Sequence, residues 1–597
     1  MQVGADTGGT FTDIVGDDGR VAKVLSTPDD PSRAVAEGLE QLEAEDRPAR
    51  LAHGTTVATN ALLERRGAKV ALVTTAGFAD VIEIARQDRP SLYDIDADRP
   101  EPLVPRDLRL EVGGRLDATG DEVEPLDPSS VPEMPAGIES VAVCLFHADL
   151  DASHEKAVAD ALADRDVDDV TCSHQVSPEF REYERTVTTV VNAYLRPRCR
   201  RYLRALSDLA GEVLVMTSAG GLLPAEEAAE LAVALLLSGP AGGARAGALA
   251  AEAAGFPDAV TFDMGGTSTD VCLVQRGAPE PAPGRTAAGF PIRLPALDIH
   301  TIGAGGGSIA GLDPGGALVV GPESAGADPG PACYGRGGER PTVTDADLVL
   351  GRFPSDAAFG GLDALDREAA ERALEKAGVD GEGVVRVVDA AMQRAVRVVS
   401  VQRGVDPGGL ALVAFGGAGP LHACAVAEGA GMAAVVVPPR AGVLSAVGLL
   451  CSPRQRDLVR SWPRPGEHAG IDDALAELRD RATDAVGGGD KVDVTTSLDC
   501  RYAGQSHELT VAGIDDFAEE HRRRNGYSRP GAPVEVVALR SRARTPPAVT
   551  VEDLGPPPTP RKATKGPTVI AEPDCTVWVP EGWSADVAPD GSWVLTR

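Results

Sequence analysis

One eight-residue pattern occurs twice in this chain, and it constrains the fold more than any other feature. Residues 6–13 read DTGGTFTD and residues 263–270 read DMGGTSTD, so that six of the eight positions are identical. Each copy lies between short apolar runs that can form strands. We therefore predict two related half-sites that face one ligand.

The residue types in the repeat favour a phosphate ligand that carries a metal ion. Adjacent glycines let backbone N–H groups approach an anion closely, because no Cβ intervenes. The acidic residues at both ends would repel a bare phosphate but suit a divalent cation, held directly or through water. The pattern predicts a metal–nucleotide ligand surrounded by Asp6, Thr7, Gly8, Gly9, Thr10, Thr12 and Asp13, and by Asp263, Gly265, Gly266, Thr267, Ser268, Thr269 and Asp270. A pair of ordinary Gly-Gly hairpins is the alternative.

Length and composition indicate a globular protein of several domains. The chain has 597 residues, of which 43% are hydrophobic, and this length exceeds what one core accommodates. Its formal net charge of -33 argues against nucleic acid or an anionic membrane as a partner. The sequence contains no long apolar run and no leader-like N-terminus, so we expect a cytoplasmic protein. Nine cysteines without a CxxC pair are expected to be buried free thiols.

Several polar residues outside the repeat are candidate substrate-binding groups. His53, Thr55, Thr56 and Asn60 lie where a strand leads into a helix, a position that suits anions. Capping of that helix by a threonine, with a packed histidine beside it, is an equally good interpretation. Arg86, Asp298 and His300 are further candidates, although Arg86 also suits a solvated surface and the Asp–His pair also suits a structural hydrogen bond.

Two other glycine-rich segments follow the pattern of ligand-binding loops. Gly305, Gly306 and Gly307 belong to a loop that we expect to close over the nucleotide. Residues 415–420 read FGGAGP between an apolar strand and a helix, and they do not form a GxGxxG dinucleotide motif. A GxxxxGKS phosphate loop is also absent from the sequence.

The wording of these motifs resembles the hydantoinase A and 5-oxoprolinase family, which also includes acetone carboxylase subunits. The resemblance covers nearly the whole chain and is most specific in the repeat, in HGTTVATNALLERRG (residues 53–67) and in residues 322–352. It implies an α/β fold with the two lobes of actin, heat-shock chaperone and sugar-kinase ATPases, built from duplicated ribonuclease H-like domains. In that fold Gly416, Gly417 and Gly419 would contact the adenosine. The resemblance implies a first lobe over residues 1–185 and a second lobe over 186–455. Beyond about residue 455, strand patterns separated by Gly, Pro and Asp turns predict a β-rich C-terminal domain over 456–597.

The resemblance also implies a reaction. An ATP-dependent cyclic amidase of the N-methylhydantoinase or 5-oxoprolinase type would use ATP and Mg²⁺ to activate a hydantoin or 5-oxoproline. Asp6, Asp13, Asp263 and Asp270 would be its catalytic residues, with Asp6 and Asp263 as metal ligands. Ring opening in this family needs a B-type component, so we expect a hetero-oligomer with a B-type subunit. The alternatives are an acetone carboxylase-type subunit that activates a ketone or bicarbonate, a nucleotide-gated scaffold, and a sugar or acid kinase.

Overall fold

Two large sheets, each carrying one copy of the repeat, dominate the fold. The computed structural model describes residues 1–27, 30–42, 47–354, 364–489 and 491–597. The first sheet has six strands in the spatial order Leu222–Pro224, Glu212–Met216, Arg50–Thr55, Gln2–Thr7, Phe11–Gly16 and Val21–Leu25. The second sheet runs through Ala278–Pro279, Thr269–Gln275, Ala259–Met264, Ala411–Phe415, Ala434–Val437, Trp593–Thr596, Ser584–Val587 and Thr564–Lys565, and Ile299–Ile302 pairs with its second strand.

The two sheets share one topology around the repeat. In each, the strand before the motif pairs antiparallel with the strand after it, which closes a hairpin. On its other side, the strand before the motif pairs parallel with a third strand, and that strand pairs parallel with a fourth. The mixed α/β class predicted from the sequence is therefore confirmed, and the duplication extends from the motif to the strand order.

Strand pairing crosses both predicted domain boundaries, at 185 and at 455. The strands over 212–224 belong to the first sheet, and helix Glu182–Ser207 packs on that sheet's core. Strands from 564 to 596 extend the second sheet, so part of the predicted C-terminal domain is continuous with the second half of the chain. Which strands pair depends on contacts between distant segments, and a local strand pattern does not specify them.

Two smaller sheets complete the framework. The third sheet is parallel and consists of Val170–Cys172, Ser140–Cys144, Val70–Thr75 and Arg109–Val112. The fourth is antiparallel and consists of Gln455–Ser461, Val534–Arg544, Asp493–Tyr502 and Leu509–Val511. Two-stranded ribbons are formed by Arg115–Leu116 with Glu122–Glu124, Pro281–Ala282 with Ala296–Leu297, Arg285–Ala287 with Phe290–Ile292, Ser308–Leu312 with Leu318–Ser324, and Thr568–Ala571 with Thr576–Val579.

Helices cover the sheets on their apolar faces. The longer ones are Pro31–Gln41, Ser153–Ala163, Glu182–Ser207, Gly239–Ala253, Arg367–Ala377, Gly381–Val399, Gly419–Ala430, Ile471–Ala485 and Phe517–Asn525. The shorter ones are Val57–Leu63, Val81–Ile84, Ser173–Val176, Ala225–Glu230, Val343–Val349 and Leu444–Leu450. Within the described ranges no helix combines the length and apolarity needed to cross a bilayer. All nine cysteines are buried free thiols, as predicted.

Two helices, Gly239–Ala253 and Leu444–Leu450, connect the two sheets. A Cβ on Gly448 would lie 1.9 Å from the carbonyl oxygen of Gly242, so the helices touch through their backbones. A Cβ on Gly4, in the first sheet, would lie 2.2 Å from the carbonyl oxygen of Ala446. Close-packed protein interiors resist compression. These backbone contacts therefore fix the distance between the two repeat hairpins.

Candidate active site

Both copies of the repeat form the same tight hairpin turn. The N–H of Gly8 donates to the carbonyl of Phe11 at 3.0 Å, and the N–H of Gly265 donates to that of Ser268 at 3.1 Å. The strand register places Asp6 opposite Asp13 in the first hairpin and Asp263 opposite Asp270 in the second. A Cβ on Gly266 would lie 3.9 Å from Oγ1 of Thr10, so the two turns face each other.

A cavity of about 420 Å³ lies between the hairpins. The predicted residues that line it are Asp6, Thr7, Gly8, Gly9, Thr10, Asp13, Thr55, Thr56, Asp263, Gly265, Gly266, Thr267, Ser268, Asp270, Gly306, Gly307, Gly416 and Gly417. The turns, the glycine-rich loop and the FGGAGP loop thus meet at one site, although they are far apart in the sequence. The remaining lining includes the aromatic residues Phe11, Tyr334, Phe353 and Phe415.

The cavity has a large excess of acidic groups. Its lining contains the four aspartates of the repeat and Asp574, against one lysine, Lys23. Desolvation raises the pKa of Asp6 to about 8, and the charges of Asp13 and Asp263 add to this effect. Desolvation, followed by the charge of Asp270, raises the pKa of Asp263 to about 7. The pKa of Asp270 rises to about 6, also through desolvation. At neutral pH, Asp6 is therefore mostly protonated and Asp263 partly protonated in the free cavity, while Asp270 is mostly ionised.

The four repeat aspartates differ in their hydrogen-bond partners. Lys23 Nζ forms an ion pair with Asp13 at 2.6 Å. Ser445 donates to Asp263 at 3.2 Å, and the Thr301 hydroxyl donates to Asp270. The Asp6 carboxyl group receives no hydrogen bond from any residue that the structure describes. Among the four repeat aspartates, Asp6 is therefore the one that no described donor engages.

Glycine is required where the FGGAGP loop passes the second hairpin. Gly416 has a φ of +79°, and a Cβ there would lie 2.4 Å from Oδ1 of Asp263. At Gly417, by contrast, a Cβ would meet nothing within 4 Å. The loop therefore approaches the acid closely at one glycine and leaves open space at the next.

The glycine-rich loop at 305–307 supports the second hairpin directly. The N–H groups of Gly306 and Gly307 donate to the carbonyls of Gly265 and Gly266 at 3.0 and 2.6 Å. A Cβ on Gly305 would lie 2.8 Å from the carbonyl oxygen of Gly265. Gly306 and Gly307 line the cavity, whereas Gly305 packs behind the turn.

Three more predicted ligand residues lie behind the cavity as the described residues define it. The Thr12 hydroxyl lies 3.1 Å from that of Ser26. The Thr269 hydroxyl donates to the carbonyl of Ala304 at 2.6 Å. Gly419 is the first residue of helix Gly419–Ala430. These groups hold the loops in place.

His53 is fully buried beside the cavity and does not line it. Its Nδ1–H donates to the carbonyl of Ala5 at 3.0 Å, and its Nε2 accepts from the Tyr202 hydroxyl at 2.7 Å. Burial lowers the pKa of His53 to about 4, which keeps the imidazole neutral. Of its predicted neighbours, Thr55 and Thr56 line the cavity, while Asn60 lies outside and donates to Thr56 Oγ1 at 3.4 Å.

The other predicted substrate residues lie elsewhere. Arg86 pairs with Glu184 at 2.8 and 2.5 Å and lines a separate cavity of about 750 Å³. Asp298 forms an ion pair with Arg403. His300 lies in strand Ile299–Ile302, and the cavity is lined instead by its neighbour Thr301.

Sequence reasoning missed Lys23, Ser445 and Asp574, all of which line the cavity. Lys23 lies in an otherwise apolar strand, VAKVL, on the face opposite to the buried Ala22 and Val24. Asp574 lies in the C-terminal region, and its carboxylate accepts from the N–H of Gly442 at 2.6 Å. For Lys23 the signal was a lone cation within a strand of the first hairpin sheet. For Asp574 no local pattern marks the residue.

Comparison with known proteins relates the whole chain to one family. The hydantoinase/oxoprolinase model matches residues 185–457, and the model of the hydantoinase/oxoprolinase N-terminal region matches residues 2–165. Caprolactamase subunit alpha of Pseudomonas jessenii is 35% identical, over 100% of this chain and 99% of its own length. The 5-oxoprolinase 1 of Arabidopsis thaliana is 33% identical over 85% of this chain, which corresponds to 46% of that longer protein.

A solved structure extends the comparison to three dimensions. The crystal structure of the ATP-dependent caprolactamase from Pseudomonas jessenii has a TM-score of 0.86 and 33% identity, and the match covers 100% of both chains. The sequence comparison and the structural comparison with caprolactamase thus both extend over the whole chain. The chain belongs to the hydantoinase/oxoprolinase family.

Proposed function

We propose that this chain is the nucleotide-binding subunit of an ATP-dependent cyclic amidase. It would transfer the terminal phosphate of ATP to the carbonyl oxygen of a cyclic amide, such as a hydantoin, 5-oxoproline or a lactam. The cavity with two facing DxGGTxTD hairpins carries this proposal. Similarity over the full length of caprolactamase subunit alpha supports the cyclic-amide class.

The proposed fold is the two-lobed arrangement of actin, heat-shock chaperones and sugar kinases. The repeated strand order of the two sheets supports it, because each sheet has a hairpin extended by parallel strands. In such a fold the two hairpins would contact the phosphates. The FGGAGP loop would lie beside the adenosine, where Gly417 leaves open space.

The acidic residues fit a divalent cation. Asp6 and Asp263 would hold Mg²⁺, since these two carboxyl groups have the most strongly raised pKa values of the four repeat aspartates. A nearby cation removes the cost of ionising both groups. Oxygen ligands of this kind, completed by water and phosphate, are what Mg²⁺ prefers. When bound, Mg²⁺ would neutralise charge that develops on the phosphates.

The chain's own groups would position the nucleotide and substrate. Gly9 and Gly266 lie at the tips of the facing turns and line the cavity, where their backbone N–H groups would bind phosphate oxygens. The ion pair with Lys23 holds Asp13 in place. Thr55 and Thr56 line the cavity at the end of the strand that pairs with the strand of Asp6. An amide carbonyl is a poor electrophile, and phosphorylation of its oxygen would let water attack the carbon.

Ring opening would require a second, B-type subunit. The name of the full-length relative, caprolactamase subunit alpha, supports a hetero-oligomer. We expect the chain alone to bind Mg–ATP and to turn it over slowly. Stimulation by a cyclic amide should depend on the B-type protein.

ATP hydrolysis by the purified chain tests the proposal. It should be measured with and without the B-type protein, and with hydantoins, 5-oxoproline, caprolactam, and acetone plus bicarbonate. Stimulation by a cyclic amide supports the amidase, whereas stimulation by the ketone with bicarbonate alone favours a carboxylase subunit. Asp6→Asn and Asp263→Asn should each lower turnover at least about 100-fold. The exposed Asp586→Asn should not change it. Unchanged turnover in both site variants would rule out this active site.

A further inference from the structure

Three large apolar side chains project into solvent from one short segment. Leu92, Tyr93 and Ile95 are 78%, 97% and 91% exposed. Across the described parts of the chain, no other large apolar side chain is as exposed as these. We call residues 92–95 the apolar tip. Contiguous exposed apolar groups of this kind mark sites that another molecule covers.

Local hydrogen bonds give the apolar tip a defined shape. Ser91 Oγ accepts from the N–H groups of Tyr93 and Asp94 at 3.3 and 3.0 Å. Asp94 Oδ1 accepts from the N–H of Asp96 at 3.0 Å. These bonds form turns that lower the number of conformations available to the tip. A shape that is fixed before binding reduces the entropy lost on association.

Ion pairs attach the base of the segment to the body of the protein. Arg99 donates to Asp88 Oδ1 at 2.8 Å and to the carbonyl of Ile84 at 3.2 Å. Arg86 forms two hydrogen bonds with Glu184, at the start of the long helix Glu182–Ser207. The apolar side chains thus project from an anchored base. This is the arrangement expected of an interface anchor.

Acidic residues alternate with the apolar ones along the segment. Asp94, Asp96 and Asp98 are all exposed, and no ion pair joins them to another described residue. A second copy of this chain would bring the same carboxylates against each other, which disfavours a homodimer through the tip. An anionic membrane is disfavoured for the same reason. The chemistry that fits is an apolar recess with arginine or lysine at its rim.

We propose that the apolar tip is the docking anchor for the B-type subunit and fills an apolar, basic-rimmed recess on it. This inference rests on the proposed function, which requires that subunit. Tyrosine is among the residues that most often dominate binding energy at interfaces, so Tyr93 would be the main anchor, and Leu92 and Ile95 would exclude water around it. The aspartates would act mainly on the association rate and on the choice of partner.

The test measures the dissociation constant between the purified chain and its purified B-type subunit. The triple variant L92S/Y93S/I95S should raise the Kd at least about 100-fold. A matched control, V123S/L312S/V401S, changes three other side chains that are 62%, 51% and 53% exposed. It should leave the Kd within about threefold. Mg–ADP binding by the isolated chain should be the same in all three proteins.

A single variant, Tyr93→Ser, repeats the test at a side chain that is almost wholly in solvent. If the wild-type chain binds the B-type subunit and neither variant weakens binding, the docking inference is wrong while the proposed function stands. If the wild-type chain neither binds that subunit nor responds to a cyclic amide, the proposed function itself fails. If the chain dimerises by itself and L92S/Y93S/I95S is monomeric, a second copy occupies the tip and the inference is overturned.

The acidic residues provide an independent arm. D94N/D96N/D98N should slow association and flatten its dependence on salt, with little change in the dissociation rate. Faster association in this variant would show that the recess is not basic and would overturn the proposal.

Discussion

Binding of Mg–ADP should release protons from the protein, and the number released should depend steeply on pH. A cation between Asp6 and Asp263 needs both carboxylates ionised. In the free cavity, desolvation raises the pKa of Asp6 to about 8 and that of Asp263 to about 7. A metal ion that binds between these two groups would therefore displace protons near neutral pH.

The expected number follows from these values. At pH 7 about nine-tenths of Asp6, half of Asp263 and a tenth of Asp270, whose pKa is about 6, carry a proton. Roughly 1.5 protons should therefore leave per nucleotide bound. At pH 9 the same groups are almost fully ionised, and the release should fall to about 0.1 proton. Protons are released rather than taken up because the raised carboxyl pKa values let the free protein hold more protons than the metal-bound protein.

Calorimetry in two buffers with different enthalpies of ionisation measures this quantity. Premixed Mg–ADP should be titrated into the chain at pH 7 and at pH 9. Asp6→Asn carries no titrating group at that position, so its release at pH 7 should be lower by about 0.9 proton. The exposed Asp586→Asn is the control and should release as many protons as the wild type.

A binding enthalpy that does not depend on the buffer at pH 7 would refute the reasoning. It would mean that the carboxyl groups are already ionised in the free protein, or that the cation binds elsewhere. A release that grows between pH 7 and pH 9 would also contradict it, because the proton-loaded window of these acids ends near pH 8.

Two further substitutions test the packing around the site. Gly416→Ala should lower stability by about 2 kcal/mol, since it combines a φ of +79° with a Cβ placed 2.4 Å from Asp263, whereas Gly417→Ala should not change the unfolding midpoint in urea. Tyr202→Phe removes the donor to His53 Nε2 and should cost about 1 kcal/mol in the same assay. Its KM for ATP and for the cyclic amide should stay unchanged, because neither His53 nor Tyr202 lines the cavity. A raised KM would show that the Tyr202 hydroxyl, which also hydrogen-bonds with Thr7 and Thr55, positions the cavity lining.

The repeat was the most informative part of the sequence because it encodes local geometry. Two glycines between a strand pair dictate the hairpin, and the fixed spacing places Asp6 opposite Asp13 and Asp263 opposite Asp270. That both hairpins form one site depends on the duplicated sheets, and the duplication of the motif was enough to predict it. The sequence alone did not show where the loops at 305–307 and 415–420 lie relative to the hairpins.

Residues outside the repeat were harder to assign because their roles depend on distant partners. His53 and Thr55 lie two residues apart on the same face of strand Arg50–Thr55. His53 lies deeper in the core and meets Tyr202, whereas Thr55 is the last residue of the strand and lines the cavity. Asp574 reaches the cavity only because strands near the C-terminus extend the second sheet. No local pattern carries that information.

The two half-sites are equal in backbone geometry and unequal in chemistry. In the first hairpin Asp13 is neutralised by Lys23, while Asp6 has no hydrogen-bond donor within the described structure. In the second, Asp263 and Asp270 each accept from a hydroxyl group, which orients a carboxylate without cancelling its charge. Under the proposed function, this asymmetry would make the cation site asymmetric although the two turns are alike. Ionised Asp6 would carry the charge that lacks a partner, so that a metal ion would be stabilised between Asp6 and Asp263, and a phosphate held by both turns would complete its coordination.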